Sequence, residues 1–345
     1  MILDEKDALK AGHNKLFFTW NGIGANLALM TAAREYHSHT GKKILIGTSH
    51  SWLFENTDFA DVIVSLNFDF FNGTNGTKNL EQIQKKGISP FFITSNSYKW
   101  LAPKYESNIC QFSKKHIIAA YCDKLGVSGK INVVPQLVLT SQEKEFGKFF
   151  PKDQICVISD GLQKYKSWPH DKMAAFLEKT RQQYNFVQVG KETDALLPHV
   201  LDLRGKLSFR QLAGVLYNSR LFVGPTGGMV HLARAVNCPS VVLATKGEPA
   251  ELTYYAGNGY VFAREACDLC ARNVRDPQHQ ACYFGYTCVQ NIDVADVLDA
   301  VQEQFQKSVS LPEVQWEKSG GVPVDTLEDF YAQKHTKSDF CGVIK

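Results

Sequence analysis

Two stretches of the sequence hold residues whose types and spacing could do chemistry. The first runs from Leu221 to Pro239, LFVGPTGGMVHLARAVNCP. It reads as a strand over 221–223, a tight loop of Gly224, Pro225, Thr226, Gly227 and Gly228, and a helix over 229–236. Backbone N–H groups at a helix N-terminus point outward without partners, and the helix dipole favours negative charge there. Thr226 adds a hydroxyl, and His231 falls in the first helical turn. The pattern fits two readings, an ordinary β-α turn and a phosphate cradle. The second stretch is Cys267, Cys270, Cys282 and Cys288, spaced C-x2-C-x11-C-x5-C. Four thiolates so spaced can form a tetrahedral sulfur site for zinc or iron; free or partly oxidised loop thiols are the alternative. His279 lies inside that loop and is the lesser ligand.

The elements around these stretches alternate strand and helix. Short apolar runs at 16–19, 44–46, 60–66 and 91–94 read as strands of a first half. Between the first two, Asn21, Gly22 and Gly24 make a loop, and Leu27, Met30 and Ala33 line one face of a helix. A β-loop-α-β unit of this kind implies a parallel sheet. The G-x-G alone lacks the third glycine and the spaced acid of a dinucleotide fingerprint. Further strands at 155–159, 186–189, 221–223 and 240–243 build a second half. Pro169 fits the first position of a helix, with Ser167 or Trp168 near its cap. Ser208 with Gln211 three residues on has the capping-box pattern, and Phe209, Leu212, Ala213 and Leu216 follow at helical spacing. Asp293 caps a last helix with Val294, Val297, Leu298, Val301 and Phe305 on one face.

The polar stretch 141–154 separates the halves. The expected organisation is an N-terminal domain over 1–148, a C-terminal domain over 149–307 with the cysteine finger at 267–288, and a polar tail over 308–345. In that tail, Leu327, Phe330 and Tyr331 suggest a short helix docking back on the body. Two α/β halves make a cleft, with the loops at 21–26, 159–166, 190–194 and 224–228 facing it from the carboxyl ends of the strands.

The length of 345 residues suits two domains, and 44% hydrophobic with 21% charged residues is a globular balance. A formal charge of +3 gives no argument for nucleic acid. The first residues, MILDEKDALKAGHNK, have no apolar core, and no apolar run reaches the length that spans a bilayer. The expected location is cytoplasmic. Residues 99–130 interleave Lys99, Lys104, Lys114, Lys115, His116, Lys124 and Lys130 with Trp100, Tyr105, Phe112 and Tyr121. This is either a solvated helix face or a positive wall for a negatively charged acceptor.

Taken together these motifs resemble glycosyltransferase family 9, the lipopolysaccharide heptosyltransferases and their relatives. The resemblance covers roughly residues 15–302. Its strongest part is DLRGKLSFRQLAGVLYNSRLFVGPTGGMVHLARAVNCPSVVL, which follows the family's Gly-Lys-x-Ser start, helix, strand and Gly-Asn-Asp-Ser-Gly-x-x-His-Leu-Ala loop. Lys166-Ser167-Trp168-Pro169 matches a Lys-x-Trp-Pro motif, and GIGANLALMTAAREY resembles the Gly-x-Gly-Asp loop and helix. The resemblance implies the GT-B fold, two Rossmann-like domains with parallel sheets facing a central cleft. It also implies an inverting transfer of a sugar, heptose from ADP-heptose foremost. The acceptor would be a lipopolysaccharide core, another glycan, a lipid-linked glycan or a protein. A lipid-linked acceptor would bring the protein to the inner membrane face as a peripheral partner.

Residue by residue, the resemblance implies that Lys166 pairs with the donor diphosphate and Ser159 bonds a phosphate oxygen. Thr226, Gly227 and Gly228 would present N–H groups to the diphosphate, with His231 beside it. Glu192 or Asp194 would take the ribose hydroxyls. No catalytic cofactor is implied, and metal at the four cysteines would be structural; the autotransporter heptosyltransferase branch holds iron in such a finger. Two positions depart from the pattern. Where the family has the presumed general base, this chain has Ala25, and Asn26 cannot act as a base. Where the second loop has Asp, this chain has Thr226. Either another group is the base, with Asp69, Asp160 and His50 as candidates, or the acceptor differs, or the chain is a catalytically divergent homologue acting as a binding or scaffold protein.

Overall fold

The computed structural model describes residues 1–19, 22–64, 81–93, 96–97, 111–112, 116–127, 129–151, 153–161, 166–245, 250–263, 287–307 and 315–317. The first half holds four parallel strands, β1 (Lys15–Phe18), β2 (Ile44–Thr48), β3 (Ala60–Val64) and β4 (Ser89–Phe92), in the order β3-β2-β1-β4. Helices α1 (Glu5–Lys10), α2 (Ile23–Thr40), α3 (Ile117–Lys124) and α4 (Ser141–Phe146) accompany it. A small antiparallel pair joins β5 (Asn96–Ser97) to β6 (Gln111–Phe112). A second such pair joins β7 (Lys130–Asn132) to β14 (Gln315–Glu317), bringing part of the tail back onto the first half.

The second half is a six-stranded parallel sheet. Its strands are β8 (Ile155–Val157), β9 (Phe186–Gln188), β10 (Leu201–Asp202), β11 (Leu221–Pro225), β12 (Ser240–Leu243) and β13 (Gly259–Val261). The order is β10-β9-β8-β11-β12-β13, a doubly wound pattern whose direction reverses between β8 and β11. Helices α5 (His170–Thr180), α6 (Phe209–Tyr217), α7 (Gly228–Ala235) and α8 (Val294–Gln306) accompany it. The α/β architecture with two parallel sheets is the one expected. Parallel strands are covered on both faces, which is why β2, β8, β11 and β12 read as unbroken apolar runs and are buried throughout.

Local signals set most helix ends. Ser208 and Gln211 close a capping box on α6, and Thr140 and Glu143 do the same on α4. Gly41 ends α2 in the left-handed region (φ 67°), and its N–H reaches the His37 carbonyl at 2.8 Å. Other ends differ from the sequence reading. Pro169 is the residue before α5, not its first, and makes no side-chain cap. Asp293 precedes α8 without a side-chain cap bond. The strand expected at 91–94 is β4, two residues earlier. Of the basic stretch, Lys99, Lys104, Lys114 and Lys115 lie outside the described residues, and His116 and Tyr121 are buried, not on a solvent wall.

The halves share one apolar cluster. Leu27 and Leu29 of α2, Ile118 and Tyr121 of α3 and Leu232 of α7 belong to it, so helices of both halves bury their faces together. Arg210 locks the joint. It is 8% exposed at the start of α6 and donates to the Trp52 carbonyl (2.7 Å), the Val138 carbonyl (2.6 Å) and the Glu143 carboxylate (2.7 Å from Nη2). Phe209 stacks on Trp52 beside it, ring centroids 5.0 Å apart and 9° from parallel. The Arg210 guanidinium holds the Glu143 carboxyl down at about 2. Its folded pKa is therefore below the unfolded one, and the pair contributes stability above about pH 4.5 that is lost as pH falls toward 2.

Arg210→Ala removes the guanidinium from the Glu143 carboxylate, which keeps only the Thr140 N–H, and leaves two carbonyls without their donor; the expected loss is about 3 kcal/mol. Urea unfolding at pH 7 checks it. Repeating the titration between pH 5 and 3 separates the pair, because the variant loses the part of the acid sensitivity that Glu143 supplies.

Candidate functional site

The carboxyl ends of β8 and β11 flank the point where strand order reverses, the place where open α/β sheets bind ligands. Ser159 and Asp160 follow β8; Thr226, Gly227 and α7 follow β11. The strand β11 runs through Pro225 and α7 starts at Gly228, so the loop expected over 224–228 shrinks to Thr226 and Gly227. Gly227 has φ 150° and ψ −164°, backbone that a side chain rarely adopts, and this lets a two-residue link swing from sheet to helix. No side chain caps α7, and its first turn holds no acid. Thr226 is 3% exposed, and its Oγ1 has no hydrogen-bond partner among the described residues. A buried hydroxyl without a partner costs roughly 1–3 kcal/mol, and a bound acceptor atom would offset it.

His231 is buried and faces the first half. Its Nδ1 lies 2.6 Å from the Tyr255 hydroxyl, and the two rings meet edge to face at 5.5 Å. A Cβ on Gly24 would overlap the imidazole, so only glycine lets α2 approach this closely. Tyr255 also meets the His116 ring at 5.4 Å. His116 Nδ1 accepts the Ile118 N–H at 3.2 Å, and Nε2 donates to the Tyr254 carbonyl at 3.0 Å, which fixes a neutral tautomer. Burial, with His231 nearby, holds its pKa at about 3. Burial likewise pushes the Tyr255 phenol upward, so it stays protonated.

On the acceptor side, Gly24 and Asn26 are not in a loop; both stand in the first turn of α2, which begins at Ile23 behind Gly22. The Asn26 amide is engaged in structure: Nδ2 donates to the Gly22 carbonyl (3.0 Å) and Oδ1 accepts from Thr48 Oγ1 (2.8 Å). Asn21 lies outside the described residues. His50 sits at the joint, its ring edge-on to Trp52 and Phe209 at 6.2 and 6.3 Å. Asp160 Oδ2 accepts from Ser159 Oγ at 3.2 Å, and Asp69 lies outside the described residues.

The remaining donor-side candidates divide. Ser159 Oγ accepts from Gln188 Nε2 at 3.3 Å, and Gln188 Oε1 accepts the Leu197 N–H at 2.8 Å, so Ser159 is held in a small network. Lys166 is half-buried just before Trp168, whose indole N–H donates to the Ile292 carbonyl at 3.1 Å and anchors the turn. Asp194 is occupied in closing its own turn, with Oδ2 accepting the Lys191 N–H at 2.8 Å. Glu192 is the exposed carboxylate of that turn. Of the four cysteines, Cys267, Cys270 and Cys282 lie outside the described residues, and Cys288 is buried against the second sheet. Among the described residues no group of histidine, cysteine or carboxylate side chains is arranged to hold a metal ion.

Sequence reasoning missed Tyr255, which orients His231, and Gln188, which holds Ser159. Neither carries a motif. Each becomes visible only when segments distant in sequence meet: the chain before β13 against α7, and β9 against the turn after β8.

Residues 123–275 match the family model of glycosyltransferase family 9 (heptosyltransferase). No curated protein matches the sequence. Among solved structures, a glycosyl transferase family 9 protein from Veillonella parvula aligns with TM-score 0.61 at 14% identity, over 89% of this chain and 99% of that one. The iron-containing dodecameric heptosyltransferase TibC of enterotoxigenic E. coli, solved with ADP-D-beta-D-heptose, aligns with TM-score 0.61 at 14% identity, over 86% and 77% of the two chains. The E. coli ADP-heptose lps heptosyltransferase II aligns with TM-score 0.59 at 13% identity, over 85% and 98%. At such identity the likeness is one of fold.

His116 supplies a test of the buried cluster. Its lowered pKa means the unfolded chain takes up its proton first, so stability present above about pH 6.5 is lost as pH falls toward 3. His116→Gln keeps a donor for the Tyr254 carbonyl and removes the proton uptake. Urea midpoints at pH 7.5 and 5.5 check it: the wild-type midpoint falls more than that of the variant.

Proposed function

We propose that this chain, a family 9-type glycosyltransferase by its matched segment and its fold, takes a nucleotide-activated sugar as donor, ADP-heptose foremost, and transfers the sugar with inversion. The observation that carries this is the start of α7, an uncapped helix N-terminus beside the orphan Thr226 hydroxyl, at the switch point of a doubly wound sheet. The fold relatives that hold ADP-heptose support the nucleotide.

In this reading the donor diphosphate rests on the N–H groups of Gly227, Gly228 and Met229, with Thr226 donating its hydroxyl. Lys166 approaches from the turn after β8, and His231 stands behind. Glu192 takes the ribose hydroxyls, since Asp194 is tied to Lys191. The acceptor oxygen enters from the α2 side and attacks the anomeric carbon. The bond to the diphosphate oxygen breaks, and the electron pair leaves on the nucleotide. Charge grows on that oxygen in the transition state, where a lysine and fixed N–H dipoles are most effective. One in-line displacement inverts configuration. Closure of the two halves excludes the water that would otherwise hydrolyse the donor.

A four-cysteine site for zinc or iron over Cys267, Cys270, Cys282 and Cys288 completes the reading as a structural finger, supported by the spacing alone. The acceptor is a glycan, lipid-linked glycan or protein, and a lipid-linked one would bring the chain to the inner membrane face. Among the described residues no helix is long and apolar enough to cross a membrane. The absence of a carboxylate at Ala25 favours one alternative, a homologue that binds nucleotide sugar without transferring it.

Lys166→Ala should lower the release of nucleoside diphosphate from ADP-heptose by about 100-fold or more in kcat/KM, with Lys166→Arg retaining part of it. Steady-state assay against an acceptor panel, with calorimetric binding of ADP, checks both. Binding without turnover supports the alternative, and neither binding nor turnover with any nucleotide sugar refutes the reading.

A further inference from the structure

The imidazole of His231 stands where the two halves meet, and one neighbour decides what it can do there. On α7 it falls three residues after Gly228 and four after Gly227, so its side chain shares their face. Side chains of a helix lean toward its N-terminus, which carries the ring back over that turn. The contacts agree. A Cβ on Gly24, in the first turn of α2, would lie 2.9 Å from His231 Nε2, and one on Gly228 would lie 3.3 Å from Ile23 Cβ in the same turn. The Nε2 edge of the ring faces α2 beside the start of α7.

The other edge meets Tyr255. His231 Nδ1 lies 2.6 Å from its hydroxyl. Tyr255 is 2% exposed, and burial keeps the phenol protonated, so its hydrogen needs an acceptor. Among the described residues that hydroxyl has no hydrogen-bond partner but Nδ1. The His116 ring meets Tyr255 edge to face, but both its nitrogens are in use, Nδ1 on the Ile118 N–H and Nε2 on the Tyr254 carbonyl. The phenol therefore donates and His231 Nδ1 accepts. The reverse arrangement, Nδ1–H on the phenol oxygen, would bury the phenolic hydrogen without an acceptor. A neutral imidazole with its lone pair at Nδ1 carries its proton at Nε2.

We propose that Tyr255 is a positioning residue of the transfer site: it fixes His231 as the neutral Nε2–H form, so that the ring donates a hydrogen bond to an oxygen of the bound sugar nucleotide and is not the base that takes the acceptor's proton. What the N–H meets rests on the donor reading given above; the tautomer is a property of the chain alone. A base must present a lone pair. With Nδ1 on the phenol and the proton on Nε2, the ring has none to offer. His231 drops out as a substitute for the carboxylate absent at Ala25, and the acceptor's proton goes to another group. What the ring adds is a fixed donor beside the backbone N–H groups of α7 and the Thr226 hydroxyl. Charge that grows on the leaving phosphate meets it without reorganisation. The charged and titratable groups that act on Tyr255 are the Tyr260 phenol and the Arg234 guanidinium, and the His116 ring beside it is neutral. Residues 22–26, against His231, carry no ionisable group.

The tautomer is read on the free full chain, labelled with nitrogen-15, from two-bond proton–nitrogen correlations of its imidazoles, with His231→Gln identifying the signal. A pyridine-type Nδ1 and a pyrrole-type Nε2–H are expected at neutral and at mildly acidic pH. Tyr255→Phe keeps the ring packing and loses only the hydroxyl, and there the single form gives way to a mixture of tautomers. Calorimetry with ADP-heptose tests the role. Tyr255→Phe and His231→Leu should each bind it about 5-fold more weakly. His231→Gln, whose amide N–H stands in for Nε2–H, should stay within about 3-fold of the wild type in affinity and in ADP release. Glutamine cannot replace a base, whose loss costs about 100-fold or more. An Nδ1–H form in the free chain, unchanged affinity in both Tyr255→Phe and His231→Leu, or a loss of about 100-fold in ADP release by His231→Gln with donor binding intact overturns the inference and leaves the donor reading standing. If no nucleotide sugar binds, the donor reading and the role of the N–H both fail, while the spectrum still decides the tautomer.

Discussion

The close approach of α2 to α7 is the constraint on which the rest of the site depends. Gly24 and Gly228 permit it, because a side chain on Gly24 would overlap His231 and one on Gly228 would press on Ile23 and Gly24. The approach fuses the two halves through a common apolar cluster and brings two helix N-termini to one place. Arg210 and the Trp52–Phe209 stack hold the same joint from its other end. Each of these N-termini carries partial positive charge from fixed backbone dipoles. Fixed dipoles need little reorganisation as charge moves onto a leaving group.

Much of the fold was legible in the sequence, for identifiable reasons. Parallel strands buried on both faces must be apolar runs, so β2, β8 and β12 announce themselves. Capping is local chemistry, so Ser208 with Gln211 could be read directly. Boundaries are less legible at glycine and proline, which serve equally as loop markers and as packing residues. Gly24 and Gly228 are helical because packing between helices rewards the missing side chain, and Pro225 ends an edge of β11 because its fixed φ suits an extended chain. Tertiary contact overrode local propensity at these positions.

The site was legible in part. The glycine pair after β11 and the Lys166-Ser167-Trp168-Pro169 turn stood out as motifs, and their loops follow β11 and β8, the neighbouring strands at the switch point. The interactions that shape their neighbourhood did not stand out. Tyr255 on His231 and Gln188 on Ser159 depend on segments distant in sequence whose meeting no spacing announces, whereas Lys191 on Asp194 is a contact within one turn. The last of these ties one Asp194 oxygen to its own turn, while Glu192 is exposed.

The account turns on a diphosphate seated at the start of α7. A crystal structure of the chain with ADP-heptose, or with ADP, tests that most directly. The diphosphate is predicted to lie within hydrogen-bond distance of the N–H groups of Gly228 and Met229 and of the Thr226 hydroxyl, with the Lys166 ammonium on its phosphates. A nucleotide bound elsewhere in the chain, with Thr226 still lacking a partner, would contradict it.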